Sequence, residues 1–528
     1  MSRVVAIVGG RLQPEDVVAV AREGAKVFLS PAGEKRLAAG AARLAQVEAG
    51  TGPVPLWKLA DLTDDAERPA PADLTALARH VILDHAVAVG RPLPTELVRA
   101  AMLVRADVFA QGYSGVRPEL AERLVDMLNR EVHPIVPAHG HFSVAGDVAP
   151  LAHLALVLCA GSDDYSGSGQ AALGWHEAGA PILPGGEAMR AARLEPVRPN
   201  LKEAFSLIVG HSFAAGWAAL LIEEAWRLWR LAVAASALTC EALLANTAAF
   251  DPRLLGLGPG REWIVRVGER LHGWTAGSRM AGNRQRADAF SIRCIPQVLG
   301  AVAGVLDRVG QAIGEELGLA SDNPVLIDDP EGPRCLDGGN FHGARLSLAV
   351  DNLRLAMAEI GSLAERHAFL LTNGSRNSGL PSFLIRRHGL NSGFMLAQYT
   401  AAALVSENKA LALPYATDSI PSVQDYEDHA GLSLHSTAVT DKLLTNVRRV
   451  LAIEFLLAAQ GVELRLEEGK QAGRRTLRLH DEIRRTIPVW EDDTVLSRRI
   501  EQADALCRPG GGLDRLARET RENDHDDE

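Results

Sequence analysis

The amino-acid sequence predicts a mostly α-helical protein, a bundle of long helices preceded by a loop-rich N-terminal domain. Three observations carry that expectation. Ala, Leu and Arg dominate while aromatic residues make up only 5%, a balance that favours helices over sheets on intrinsic propensity. Leu346, Val350, Leu353, Met357, Ile360 and Ala364 recur at alternating steps of four and three, which puts them on one helical face. The stretches 201–247, 295–317, 343–371 and 391–412 are each long enough to span a bundle.

Taken in order, residues 1–195 are broken by Gly and Pro in the manner of a loop-rich domain that carries site residues. Gly9-Gly10 after an apolar run, and later Gly256, Gly258 and Gly260, lack the spacing of a dinucleotide fingerprint and have no Walker lysine, so both clusters read as turns. Residues 196–463 form the expected central long-helix bundle. Its richest apolar run, Phe213 to Phe250, carries Glu223, Glu224, Arg227 and Arg230 and reads as a core helix rather than a membrane span. In the 343–371 stretch, Asp351, Arg354 and Glu365 fall off the apolar stripe. Residues 464–528 turn charged, a C-terminal helical region whose acidic end, RENDHDDE, is expected to be disordered.

With 528 residues, 47% of them hydrophobic, the chain can bury a large core. Its 55 Lys and Arg against 66 Asp and Glu give a net charge of −11, and the basic residues are spread along the chain. That pattern excludes an electrostatic footprint for nucleic acid or an anionic membrane and leaves a small-molecule substrate as the expected partner. The N-terminus has no secretory pattern. Five cysteines without metal-ligand spacing suit a reduced, cytoplasmic compartment. No metal is expected: His139 and His141 form only a loose pair, and zinc needs three or four matched ligands.

Gly112-Tyr113-Ser114-Gly115-Val116-Arg117-Pro118, followed by Gly146-Asp147-Val148-Ala149-Pro150-Leu151-Ala152-His153, resembles two adjacent signatures of the histidine and aromatic amino acid ammonia-lyase family. Further matches follow in order: Lys202-Glu203, Ser291-Ile292-Arg293-Cys294 with Pro296-Gln297, Asp322-Asn323-Pro324, Gly338-Gly339-Asn340-Phe341-His342-Gly343, Gly389-Leu390-Asn391-Ser392-Gly393-Phe394, Ser406-Glu407-Asn408-Lys409, Asp418-Ser419-Ile420-Pro421 and Glu427-Asp428-His429. The resemblance runs roughly from Asp16 to Glu463. It implies the ammonia-lyase long-helix fold and a homotetramer with sites shared among subunits; function has to be argued from the site itself.

In that family an Ala-Ser-Gly tripeptide cyclises and loses water to make methylidene-imidazolone (MIO), an electrophile. Here the tripeptide, counted back from Asp147, is Val144-Ala145-Gly146. Ala145 has no hydroxyl to lose. Ser143 is one position early, and its use would make Val144 supply the attacking nitrogen in place of the unhindered glycine. The resemblance therefore implies a divergent member with no MIO. Other departures agree with this. The loop that holds the family's proton-abstracting tyrosine corresponds to Gly52-Pro53-Val54-Pro55-Leu56-Trp57-Lys58, without a tyrosine. An Asn-Gly-Thr appears as Val209-Gly210-His211, a Gln-Asp-x-Tyr as Ala287-Asp288-Ala289-Phe290, and an Asn-Gln-Glu as Asp425-Tyr426-Glu427.

What the resemblance implies for substrate binding survives. Arg293 matches the residue that grips the substrate carboxylate, where a planar fork of donors gives bidentate binding. His85 matches the position that reads the substrate ring, Phe341 a pocket aromatic, and Glu427 an acidic group near the ring or amine. New polar groups, His139 and His141 before the loop, His211 beside it and Tyr426 next to Glu427, bring side chains able to move protons. Each has an ordinary alternative: a salt bridge for Arg293, a satisfied buried histidine for His85, core packing for Phe341, a roleless loop position for the histidines. The expected function is an enzyme of electrophile-free acid/base chemistry (addition, elimination, condensation or cyclisation) in a specialised pathway, with His141, His211, Tyr426 and Glu427 as the catalytic candidates. The alternatives are a non-catalytic binding or regulatory homologue, and an ordinary lyase with an engineered serine-to-alanine change. A single engineered change would not also remove the tyrosine loop and alter Val209, His211 and Phe290.

Overall fold

A computed structural model of the chain describes residues 3–51, 54, 56, 70–140, 145–159, 169–282, 287–422 and 427–522. Helix accounts for 62% and strand for 8%, the mostly α architecture expected. The chain folds into two compact units, neither contiguous in sequence. The first comprises Met1–Glu223, Gly310–Asp351 and Pro414–Ala438, the second Glu224–Val309, Asn352–Leu413 and Val439–Glu528. The expected division at residues 195 and 463 follows the chain, whereas the division in space falls inside four long helices, Ser212–Ala242, Ile295–Leu317, Ala344–Thr372 and Ser433–Glu467.

The first unit opens with a parallel pair of strands, Val4–Ile7 beside Lys26–Leu29, in register Val4↔Lys26 to Ile7↔Leu29. Its core is the helix Thr95–Ala110, buried at every position from Leu97 onward. The helix is alanine-rich, which suits close packing, and its buried charges all have partners. Arg99 donates to the Val20 carbonyl and to His133, and Arg105 to the carbonyls of Ser206 and Val209. Asp107 accepts the N–H groups of Gly9 and Gly10 at 2.9 and 2.6 Å, so the first glycine pair is a turn wrapped on a carboxylate, as its spacing predicted. Burial pushes the Asp107 carboxyl up to about 6.

The expected 201–247 helix is two helices. Leu201–Ile208 starts at a capping box in which Asn200 Oδ1 accepts from the Glu203 N–H and Glu203 accepts from the Asn200 N–H. The chain then breaks at Val209 and Gly210, the latter at φ +116, and restarts as Ser212–Ala242.

In the second unit, long helices approach closely where small residues permit. A Cβ on Gly461 would stand 2.7 Å from that of Ala242, and one on Gly300 equally close to Ile264. Trp229 donates to the Leu299 carbonyl at 2.8 Å. His367, fully buried, sits between two acceptors, Glu454 at 2.7 Å and the Ser291 carbonyl at 2.9 Å, and Thr239 also donates to Glu454.

All six stripe residues of Ala344–Thr372 are buried, and so are Asp351, Arg354 and Glu365 off the stripe. Arg354 donates to Thr440 and to the Leu413 carbonyl, Asp351 accepts from Ser436 and Ala416, and Glu365 accepts from Gln398. These three polar residues therefore mark buried partners rather than a solvated face. No helix among the described residues is long and apolar enough to cross a membrane. The charged C-terminal region forms helices Arg474–Thr486, Leu496–Cys507 and Gly512–Glu522; the end expected to be disordered, RENDHDDE, starts at Arg521, so its first two residues close the last helix, and residues 523–528 lie outside the described residues.

Candidate functional site

The site is built on two glycines. Gly210 donates its N–H to the Ala145 carbonyl at 3.0 Å, and its own carbonyl accepts the Asp147 N–H at 2.8 Å, so Gly146 and Gly210 pair as a parallel bridge. A Cβ on Gly146 would lie 2.4 Å from the Gly210 carbonyl carbon, and one on Gly210 2.6 Å from the Ser321 carbonyl oxygen. Both residues have positive φ, +92 and +116, which glycine alone adopts freely. The break after Ile208 exists because this segment spends its hydrogen bonds on residues 145–147 rather than on a continued helix. Ala145 brings a methyl group, and no hydroxyl, to the centre of the arrangement.

Buried charges support it from below. Asp147, 2% exposed, accepts from the Ala214 N–H at 2.8 Å in the first turn of Ser212–Ala242. Burial pushes its carboxyl up to about 6, against the pull of that bond and of His211 and Arg105. Burial likewise lowers Arg105 to about 10, although Asp322 and Asp147 work to raise it. Lys202 pairs with Asp322 at 3.1 Å, both buried.

His211 follows Gly210 directly and is 1% exposed. Its Nε2 lies 3.3 Å from Glu316 Oε2, within ion-pair reach, yet neither ring nitrogen meets an acceptor in hydrogen-bonding geometry. A buried imidazole with open valences is uncommon without a role. Its Cβ is 3.8 Å from where a side chain on Gly343 would begin, which brings the Phe341-His342-Gly343 motif to the same place. Beside Gly146–Pro150 opens a small cavity whose opposite wall is His342 and Leu432 to His435. His342 Nε2 is 2.9 Å from His429 Nδ1, with the two rings stacked.

The other expected site residues are placed as follows. Ala145, Gly146, Asp147 and His211 come together. Phe341 is half-buried, next to His342. Glu427 is half-buried and accepts from the Ser422 hydroxyl at 3.0 Å. His85 ends the helix Pro71–His85 and is exposed, its Nδ1 held by Asp84 at 2.5 Å and the Val81 carbonyl at 2.8 Å. His139 is exposed on the strand Pro137–His139, paired with Val89. Arg293, in the second unit, closes the short helix Phe290–Arg293 and lies over the Phe290 ring at 5.6 Å, both exposed. His141, Val144 and Tyr426 lie outside the described residues. Among the described residues no group of three or more His, Cys, Asp or Glu side chains is arranged to hold a metal ion. None of the five cysteines forms a disulfide among the described residues.

Glu316 and Ser433 were missed from sequence. Glu316 is one of two consecutive glutamates on a helix far along the chain from His211, and Ser433 stands outside every quoted motif. Only the fold brings them to the site.

The chain matches the aromatic amino acid lyase family over residues 12–485. It is 38% identical over 512 residues to a protein named histidine ammonia-lyase from Symbiobacterium thermophilum, covering 95% of this chain and 96% of that protein. Its fold resembles the crystal structure of histidine ammonia-lyase from Trypanosoma cruzi, with a TM-score of 0.86 and 31% identity over 98% of this chain and 95% of that one. It also resembles tyrosine aminomutase from Streptomyces globisporus, with a TM-score of 0.84 and 26% identity over 97% of each.

Proposed function

The chain belongs to the aromatic amino acid lyase family, and from that premise we propose that it is an ammonia-lyase-like enzyme that binds an amino acid or amino-acid-like carboxylate and works on it by acid/base chemistry without MIO. The observation that carries the proposal is the state of residues 145–147: their main-chain cradle with Gly210 is complete, and the side chain that would become the reagent is a methyl group. Where MIO is present it supplies an electrophilic methylidene carbon. Gly146 is suited to the ring-closing position, but Ala145 has no hydroxyl to eliminate, so these residues do not fit the group and no step is routed through it. The substrate class is supported by the relatives, whose names give them amino acids as substrates.

His211 is the first proton-transfer candidate. A neutral imidazole can take a proton from a bound ligand or return one to it, and Glu316 at 3.3 Å stabilises the imidazolium while the proton is held. The half-buried Glu427 is the second, and His141 and Tyr426 complete the proposed set. Arg293 is proposed as the carboxylate anchor, with His85 and Phe341 as ligand contacts, all from the motif resemblance.

Intact mass of the purified protein should equal that of the unmodified chain, with no loss of two waters, and histidine, phenylalanine and tyrosine should release no ammonia. Ala145→Ser alone should not restore that activity, because the tyrosine loop is absent and Val209 stands where the family has asparagine. An efficient ammonia-lyase made by that one change would overturn the proposal.

A further inference from the structure

We propose that the cavity beside Ala145 is an oxyanion subsite that receives one carboxylate oxygen of the bound ligand. The inference rests on the MIO-free reading and adds a contact that the motif resemblance does not supply.

Two helices begin at this cavity, Val148–Leu158 and Ser433–Glu467, of 11 and 35 residues. First-turn N–H groups have no acceptor within their own helix, and helix starts carry partial positive charge. Asp147 precedes the first helix without capping it; its carboxylate is turned to the Ala214 N–H instead. The N–H groups of Val148, Ala149, Ser433 and Leu434 donate to no described residue, and all four residues are less than 10% exposed.

The Ser433 side chain is an independent sign of a ligand. It is 4% exposed, lines the cavity and makes no hydrogen bond with a described residue. Gly343 keeps that hydroxyl uncovered, since a Cβ there would stand 2.8 Å from Ser433 Oγ. A buried hydroxyl and four buried amides without acceptors among the described residues, gathered on one cavity, are donors suited to an anionic oxygen.

Charge and size narrow the ligand. Among the described residues lining the cavity Asp147 is the one carboxylate, and it is engaged with Ala214; His342 and His435 also line it. The cavity offers about 10 Å³ for the centre of a water-sized atom, the room of a single oxygen. A planar carboxylate can insert one oxygen and leave one more at the mouth, whereas a tetrahedral phosphate that inserts one oxygen must still place three others at the rim.

The test uses formate as the probe and inorganic phosphate as its control, on the full chain. Crystals soaked in formate should show an oxygen within hydrogen-bonding distance of Ser433 Oγ and of at least one of the amides of Val148, Ala149, Ser433 and Leu434. In solution at constant ionic strength, formate should raise the melting temperature where phosphate does not. Ser433→Ala should need roughly tenfold or more formate for the same shift, the loss expected for a hydrogen bond to a charged group. Ser433→Thr, which keeps the hydroxyl, should retain most of the response. Water alone in the cavity at saturating formate, formate seen at crystal concentration only with no thermal effect, equal binding of phosphate there, or an unchanged response in Ser433→Ala would each overturn the subsite. Intact mass on the same preparation separates the two readings. An unmodified mass with no formate bound removes the subsite and leaves the MIO-free reading standing, whereas a mass short by two waters removes that reading whatever formate does.

Discussion

At Gly146 the backbone needs φ of +92, and a methyl group would lie 2.4 Å from a carbonyl carbon across the bridge. Gly146→Ala should therefore destabilise the protein by about 1–3 kcal/mol through backbone strain alone, with the steric overlap adding to it, as a denaturant titration would register. His211 and Arg293 are expected to separate in kinetics once a substrate is found. His211→Ala should lower the rate by ~10²–10⁴ with little change in binding, and Arg293→Ala should weaken binding by roughly 1.5–3 kcal/mol. A KM change without a rate change at His211 would count against its role in proton transfer. The positions of Ala145 and His211 were legible because each stands at a fixed place in a motif. Their adjacency was implied by the family resemblance and not by spacing, since it depends on Gly210 bridging to residue 146 across more than sixty residues of chain. Glu316 was illegible altogether, because a carboxylate on a helix looks the same in sequence whether it faces water or a buried imidazole.

Elements were legible in proportion to their one-sidedness. The helix Ala344–Thr372 shows a clean four-three stripe because one face meets the core most densely. The longest helix, Ser433–Glu467, shows none: Val450 to Gly461 are all buried, and a helix covered on every side has no period to detect. Within these elements His367 is the polar joint. Both of its ring nitrogens face acceptors, Glu454 and the Ser291 carbonyl, an arrangement that favours the protonated ring, which has a donor for each. Burial pulls its pKa down, but the charge and hydrogen bond of Glu454, with the Ser291 carbonyl, push it above the ordinary value. A histidine raised in the folded state stabilises below its unfolded pKa, and that contribution is lost as pH rises through the folded value. Stability measured from pH 6 upward should therefore decline through this group. His367→Leu should remove the dependence and cost roughly 3–5 kcal/mol, since Glu454 would be left buried without its cation. An unfolding free energy within error of wild type would show that the pair carries no net weight.

At the level of the whole molecule, the mostly α class was legible from composition, while the compact units were not, because helices of more than twenty residues carry the chain through the division. The family resemblance implies a homotetramer, and the surface is consistent with association. Leu355 and Phe369 on Ala344–Thr372, and Leu396 and Tyr399 on Met395–Leu411, are 40–61% exposed, large apolar groups of the kind that interfaces cover. Light scattering should give the mass of four chains, and a stable monomer at micromolar concentration would contradict this. The bridge between Gly146 and Gly210 bears on how such a protein arises. Every hydrogen bond that holds residues 145–147 to Gly210 is made by main-chain atoms, so none of these bonds depends on the side chain at 145. A lineage can exchange serine for alanine there without an unfolded intermediate on the path. Selection on chemistry is thereby uncoupled from selection on structure, and the scaffold can outlive its first reaction and be recruited to another.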